Sequence, residues 1–523
     1  LKKIFCLLLS ILIVIAAGCT AKADGKEKIL YVPLDERPVN YAYVVETLNF
    51  AEHSIELVAP PAELLPKIKR PADTAKLWQW VFDRAPDAHY IVLSADTMVY
   101  GGLTPSRIHS LGEDYLTQMV DNFAKIKEIN ADVQLYVFDT VMRTHRANTD
   151  LAEPDYYATY GSRIFNITAL QDKAEREGLS APEERQLSRL LQEVPLEVWD
   201  DWMARRHKNF AVNQELINLT RQGTIDFFIL CRDDTASYSQ SSREYRQLAQ
   251  VAAGLPADKY VSFPGADEVG LVLLTRAVNQ SQQREPRVFV HYALGVGKET
   301  IPRYEDQQIW QNIEAHIYAA GARPTDRVVE ADLILAVNTP EDGITGEAGE
   351  KGNVAAEDEV IEHLVSHLEG YVARASRIAV ADVSFSNGSD NALLSSLARR
   401  GLLAKLDAYG GWNTAGNAMG YALSQGLLTE YMDQEAAKHL LAVRLLDDWG
   451  YQANVRGQVN RELVAALGAD GNRLGAAGEE VTREVEVRLN DFAREHLAEF
   501  NIGEVKVTLP WNRTFDIYVQ VKP

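Results

Sequence analysis

Short, nearly unbroken apolar runs alternate along this chain with longer stretches whose apolar residues recur at the 3.6-residue spacing of a helix. The runs lie at 29–33 (ILYVP), 55–59, 90–94 (YIVLS), 133–138, 227–230, 260–263, 288–292, 333–337, 378–381 and, more weakly patterned, 403–406. A strand with one face in water alternates apolar and polar residues, whereas one buried on both faces reads as continuous Val, Ile and Leu. These runs are of the second kind. The segments between them, such as 75–82, 115–129, 244–253 and 357–368, carry helical spacing. That alternation predicts an α/β fold with predominantly parallel sheets. Ten runs exceed the eight strands of a simple barrel. They fit two doubly wound, Rossmann-like domains, 29–284 and 285–428, divided at the polar stretch NQSQQRE (279–285). An elaborated (β/α) barrel is the alternative. Between Phe138 and Phe227 the first domain is interrupted, and helical patterns at 182–193 and 197–222 indicate a helical insertion over about 144–222. Residues 429–523 form a C-terminal region, with helices at 434–448, 461–467 and 479–500 and an alternating segment that reads as a hairpin around 510–512.

Residues 1–18 have the form of a secretory signal peptide. Lys2 and Lys3 precede residues 4–15, which are apolar except for Ser10 and too short for the ~20-residue helix that spans a bilayer. Ala16, Ala17 and Gly18 lead into Cys19, an arrangement that resembles the bacterial lipobox, in which the cysteine is lipidated and becomes the new N-terminus. Ala16 departs from the Leu usual there, and an ordinary signal peptide that contains a cysteine is the other reading. The lipobox implies an extracytoplasmic protein, lipid-anchored to the bacterial cell membrane, with 19–28 as a lipidated linker. Cys231 is then the one cysteine free to pair, so no disulfide within one chain is expected and stability must come from core burial. It closes the apolar run DFFILC and reads as a small buried hydrophobe.

Charge narrows the partners. The chain has 53 Lys and Arg against 74 Asp and Glu, a formal net charge of −21, and loss of residues 1–18 would remove two lysines more. Nucleic acid needs a basic face and counterion release, so no nucleic-acid partner is expected. Such a surface also offers little to anionic lipid, which leaves the N-terminal lipid as the one membrane contact.

Ligands of parallel α/β folds bind at the carboxyl ends of the strands, and here nearly every run ends in acids, Gly and Asn. In order these are Asp35, Glu36, Arg37 and Asn40; Asp96, Tyr100 and Arg107; Asp139, Arg143 and His145; Arg232, Asp233 and Asp234; Asp267 and Glu268; Asn338, Glu341 and Asp342; Asp382, Asn387, Asp390 and Asn391; and Tyr409, Trp412, Asn413 and Asn417. The segments PLDERPVN (33–40), DTMVYGGLTPSR (96–107), RDDT (232–235), GADE (265–268) and YGGWNTAGN (409–417) together resemble the bacterial domain-of-unknown-function family DUF 4127, over roughly 28–520. The resemblance implies an exported or cytosolic bacterial α/β protein and no established activity, so the chemistry has to come from the residues.

Three carboxylate pairs are candidates for acid–base work. Neighbours within a strand face opposite sides, but just past its end both can turn into one cleft, which is where Asp233 and Asp234 fall. Substrate-assisted hexosaminidases use adjacent acids in this way, one orienting the acetamido group and the other protonating the leaving oxygen. Asp267 and Glu268 precede a helical pattern and also read as N-cap and first-turn acids. Asp35 and Glu36 also read as ion partners of Arg37. Asp233 and Asp234 are therefore the expected catalytic pair.

The remaining polar and aromatic residues suit a sugar, whose apolar face stacks on a ring and whose hydroxyls are held by Asn, Asp and Arg. The expected substrate-binding set is Asp35, Arg37, Asn40, Asp96, Tyr100, Arg107, Asp139, Arg143, Asp267, Glu268, Asp382, Trp412, Asn413 and Asn417. Trp412 equally suits a plug between a sheet and the final helices. His363 and His367 stand four apart on a predicted helix, but Leu364 replaces the Glu of an HExxH motif, so they read as a solvated face and no metal site is expected. Residues 387–391 lack the twelve-residue spacing of a Ca²⁺ loop. With no GxGxxG after the first strand and no Walker A motif, no cofactor is expected either. Arg205, Arg206, His207 and Asn213 read as a solvated basic face of the insertion, with substrate-positioning groups that reach into the site as the alternative, and the acidic stretch 338–359 as a surface loop or a lid over the cleft. The expectation is a glycan-acting hydrolase with a small-molecule or glycan ligand. A non-enzymatic solute- or glycan-binding cell-surface lipoprotein is the alternative, and a surface assembly factor the third reading.

Overall fold

The computed structural model describes residues 26–51, 55–374 and 376–522. The signal peptide 1–18, Cys19 and most of the linker 19–28 lie outside the described residues. Six strands build the first sheet: β1 (Glu27–Val32), β2 (Ile55–Val58), β3 (Tyr90–Ser94), β4 (Gln134–Val141), β5 (Phe227–Arg232) and β6 (Tyr260–Pro264). There follow β7 (Arg287–Tyr292), β8 (Arg323–Pro324), β9 (Leu333–Asn338), β10 (Gly346–Glu347), β11 (Ile378–Asp382), β12 (Phe385–Ser386) and β13 (Ala408–Gly410). The first sheet runs β2-β1-β3-β4-β5-β6 and the second β13-β11-β9-β7-β8, while β10 and β12 form a small ladder of their own. All the pairings in these sheets are parallel. Counted within each sheet, the first five strands stand in the doubly wound order 2-1-3-4-5 in both. Neither sheet closes, so the barrel alternative is set aside.

Burial explains why the continuous runs became strands. Every residue of β3, β5, β9 and β11 is buried, as a parallel sheet covered on both faces requires. One run departs from the strand expected there. Residues 403–406 contain a 3₁₀ turn, Leu403–Lys405, and the edge strand comes just after it, as β13. A four-residue apolar run cannot be told from a buried helical turn by periodicity. The strand β4 continues past Phe138, so Asp139 sits inside the sheet, paired with Leu230, rather than in a loop beyond it.

The two sheets share a core. The helix Val269–Ser281 packs on β1, β3 and β4, and the helix Ala415–Leu428 packs on β9, β11 and β13. These helices also pack on each other, and one continuous apolar cluster runs from Ile29, Tyr31 and Phe138 through Val269 and Leu273 to Leu335, Ala381 and Met419. Every residue of Ala415–Leu428 is buried, and apart from Asn417 and Gln425 this helix is apolar or small. Gly420 is required by the close approach: a Cβ there would stand 2.2 Å from Cγ of Glu268.

The insertion consists of the helices Tyr157–Arg176, Ala181–Glu193 and Leu196–Gln222. A small separate core of Met142, Tyr157, Ile164, Ile167, Leu190 and Trp202 joins them. The third helix is also the crossover onto β4 and β5, and its Val212, Leu216 and Ile217 enter the core of the first sheet. Its basic face is therefore not solvated. Arg205, Arg206 and Asn213 are buried and only His207 is exposed, because the helix needs partners for groups it carries against the sheet.

In the C-terminal region the helix Gln434–Arg444 does not stop near Asp448 but widens into a π-helical stretch, Leu445–Val455, and runs on through Val464. After the helix Gly478–His496, the strands β14 (Glu504–Thr508) and β15 (Tyr518–Lys522) pair antiparallel around a turn at Pro510–Asn512. Among the described residues no helix is long and apolar enough to cross a membrane.

Candidate functional site

The carboxyl ends of both sheets open onto one cleft of about 640 Å³. The first sheet supplies Arg37 after β1, Arg107 after β3, Arg143 and His145 after β4, Asp233 and Asp234 after β5, and Asp267 after β6. Asn387 and Asn413 come from the second sheet, and Trp511, Arg513 and Phe515 from the turn between β14 and β15.

Arg37 is the hub of one wall. Its Nε donates to Asp35 at 2.9 Å, and its two terminal nitrogens donate to the two oxygens of Asp267 at 2.5 and 3.3 Å. Asp516 stands 3.6 Å away as a third carboxylate. Asn40 donates from one amide to both Asp35 (2.8 Å) and Asp267 (3.0 Å). Asn413 donates to Asp267 at 3.1 Å, and the Asp267 N–H donates to Asn417 at 3.0 Å. Segments 33–40, 265–268 and 409–417 thus meet at one ion pair. Burial works against the Arg37 charge, but Asp267, Asp35 and Asp516 hold its pKa well above the ordinary value. Burial pushes the Asp267 carboxyl up to about 6, with Arg37 opposing and Asp35 adding to the shift.

Asp233 and Asp234 line the same cleft. Asp234 has φ 43°, a left-handed turn that short polar side chains tolerate, and this turns two consecutive side chains into the cleft. Asp233 pairs with Arg107. Arg143 donates to Asp234 at 2.7 Å, lies 3.8 Å from Asp233, and is itself fixed by the buried Glu153 at 2.7 Å. The two carboxyls titrate in opposite directions. Burial raises Asp233, but Arg107, Arg143 and Arg37 outweigh it and hold the group below the ordinary value. For Asp234, burial and the neighbouring Asp233 outweigh Arg143 and raise it. His145, 3.9 Å from Asp234, is driven down to about 3 by burial and by Arg143 and Arg107, so its imidazole is neutral.

Several expected ligands of the substrate are placed elsewhere. Asp96 is buried behind the cleft and accepts from the Thr140 N–H (3.1 Å) and hydroxyl (3.0 Å). Asp139 accepts from Asn213 at 2.7 Å in the same layer, near the buried Tyr100 ring, so none of the three reaches a ligand. Glu268 makes no cap. It is wholly buried, 3.0 Å from His316. Asp382 accepts from Tyr409 (2.6 Å), Asn338 (2.9 Å) and the Asp390 N–H (2.7 Å), a closed arrangement that shapes the loops of the second sheet. Trp412 packs against Phe515 within the shared core and is 6 % exposed, which makes it a plug and not a sugar platform. Asp35, Asn40 and Asn417 lie one layer behind the cleft, bonded to Arg37 or Asp267.

The residues missed from sequence come mainly from the hairpin and from Tyr304. Trp511 donates from Nε1 to Glu36 at 2.7 Å, and burial and Asp35 push that carboxyl up to about 7. One signal marks these residues together. Of nine non-glycine residues with positive φ among the described residues, Asp234, Tyr304, Asn387, Asn413 and Trp511 line this cleft. Such backbone persists only where the surroundings over-determine it, and it clusters at functional sites. Among the described residues no group of three or more His, Cys, Asp or Glu is arranged to hold a metal ion. His363 and His367 are exposed, with rings 4.7 Å apart.

A family model described as a protein of unknown function (DUF4127) matches residues 29–520. No curated protein matches the chain.

Proposed function

The chain belongs to the DUF4127 family, whose function is unknown, and on that premise we propose that its cleft hydrolyses glycans, with Asp233 and Asp234 as the catalytic pair, in a protein held outside the cytoplasm by lipid on Cys19. One observation carries the chemistry. Two adjacent carboxyls face the same cleft and are pushed apart in titration, and environments that separate two acids assign their roles. Asp234, the raised group, donates its proton to the leaving-group oxygen. Asp233, held ionised by Arg107 and Arg143, orients the acetamido group of a 2-acetamido sugar. The carbonyl oxygen of that group attacks C1 as the C1–O bond to the leaving group breaks. Water then adds at C1 as the bond between C1 and the acetamido oxygen breaks, which restores the acetamido group, and the water gives a proton to Asp234.

The test is hydrolysis of N-acetylhexosaminide and cell-wall glycan panels by the unmodified protein, Asp233→Asn and Asp234→Asn. Each substitution is expected to lower kcat/KM by roughly 10²–10⁴-fold, the range of general acid–base catalysis. Turnover that neither substitution alters removes the pair from the mechanism. Tight sugar binding without turnover on any panel member favours the non-enzymatic binding lipoprotein.

A further inference from the structure

Five arginines and no lysine line the cleft of a chain whose net charge is −21. Arginine's planar fork, rather than lysine's point charge, is the shape that binds a carboxylate or phosphate through paired hydrogen bonds. Arg37, Arg107 and Arg143 are committed to Asp35, Asp267, Asp233, Asp234 and Glu153. Arg513 is not. Its Nε donates to Asp516 at 2.5 Å, and its guanidinium lies 4.5 Å from the Trp511 ring centre and 5.3 Å from that of Phe515. Its terminal nitrogens make no bond among the described residues, although the side chain is only 13 % exposed. Arg473, which donates from one terminal nitrogen to Asp150 at 2.5 Å, is brought alongside by two backbone bonds, Leu474 N–H to Asn512 (2.9 Å) and Thr514 N–H to Gly471 (2.7 Å). The aromatic rings of the hairpin do not offer a bare face for stacking, since Arg37 also lies over Trp511, at 5.1 Å. Charge, not stacking, is what this part of the cleft presents.

We propose that the glycan is anionic, with a carboxylate or phosphate substituent received by the free edge of Arg513 and assisted by Arg473. The proposal rests on the reading of the cleft as a glycan site and names its substrate class. The free guanidinium edge faces the cleft with no protein acceptor, and two oxygens of one anionic group can take paired hydrogen bonds from it.

Calorimetric titration of the full chain carrying Asp234→Asn, with N-acetylglucosamine, N-acetylmuramic acid and N-acetylglucosamine 6-phosphate, tests this without turnover. One or both acidic sugars should bind at least tenfold more tightly than the neutral one, and which of them does so distinguishes carboxylate from phosphate. Adding Arg513→Gln should bring that ratio close to one, whereas Arg513→Lys should keep part of it, with melting temperatures confirming that both variants fold. Equal binding of neutral and acidic sugars overturns the proposal and leaves the glycan reading standing. An acidic preference that survives Arg513→Gln also overturns it. Absence of binding by all three overturns both. Loss of hydrolysis on every panel with the acidic preference intact removes the enzyme reading alone.

Discussion

Arg37 is surrounded by three carboxylates, each almost fully buried, and without its charge all three lose their compensation. Breaking such a buried network by removing one partner costs about 3–5 kcal/mol. Arg37→Met should therefore lose stability on that scale in urea unfolding, and a midpoint equal to that of the unmodified protein would show that the hub carries no stability. The carboxyls of Asp233 and Asp234 make a different prediction, about rate. With Asp233 held low and Asp234 raised, kcat/KM should fall on the acid side as Asp233 protonates and on the alkaline side as Asp234 ionises. The alkaline limb should vanish in whatever activity Asp234→Asn retains, and a limb that persists there would assign it to another group. At this scale the sequence was readable where chemistry is local. Adjacent acids past a buried strand can be seen without a structure. Tyr100 and Trp412 do not reach a ligand, because a ring in a strand-end loop fills space as readily as it meets a ligand, and burial decides which. Arg513 offered no such cue, since its role depends on which of its nitrogens finds a partner.

Elements, rather than residues, set how closely the two halves approach. The helix Ala415–Leu428 can lie against Val269–Ser281 because Gly420 leaves room for Glu268. Gly420→Ala should cost about 1–3 kcal/mol, as overpacking of a filled core does; a neutral result in denaturant unfolding would mean that the interface can shift. The hairpin of β14 and β15 shows the limit of pattern reading. Alternation announced two strands and a turn, and these are present. Nothing in alternation says that the turn lies against the loop after β1, where Trp511 meets Glu36. The insertion shows the same limit from the other side. A helical period with Arg205 and Arg206 on one face looks solvated until the neighbouring helix Gln240–Val251 supplies Glu244 as a partner for Arg206, at 2.8 Å.

On the scale of the whole molecule, charge has been buried as well as displayed. Burial pushes Asp382 up to about 7, with Asp390 adding to the shift, and Asp448 to about 7 against the pull of Arg444. It pushes Glu305 to about 8. An acid whose pKa is higher folded than unfolded binds more protons in the native state, so its contribution is present at low pH and is lost as pH rises through the folded value. Between about pH 4 and pH 8 these groups should make the melting temperature fall with rising pH. Calorimetry at pH 5.5 and pH 8 checks this, and a higher melting temperature at pH 8 would contradict it. The parallel α/β class was legible because burial on both faces writes itself into the strands β3, β5, β9 and β11. The joining of two sheets at one cleft was not, since it depends on contacts between distant segments that no periodicity records. Trp511 lies 475 residues downstream of the Glu36 it binds. A chain leaving the ribosome therefore carries its acids and most of its arginines long before it carries the wall that closes around them, and chemistry at this cleft has to wait until synthesis has passed the hairpin.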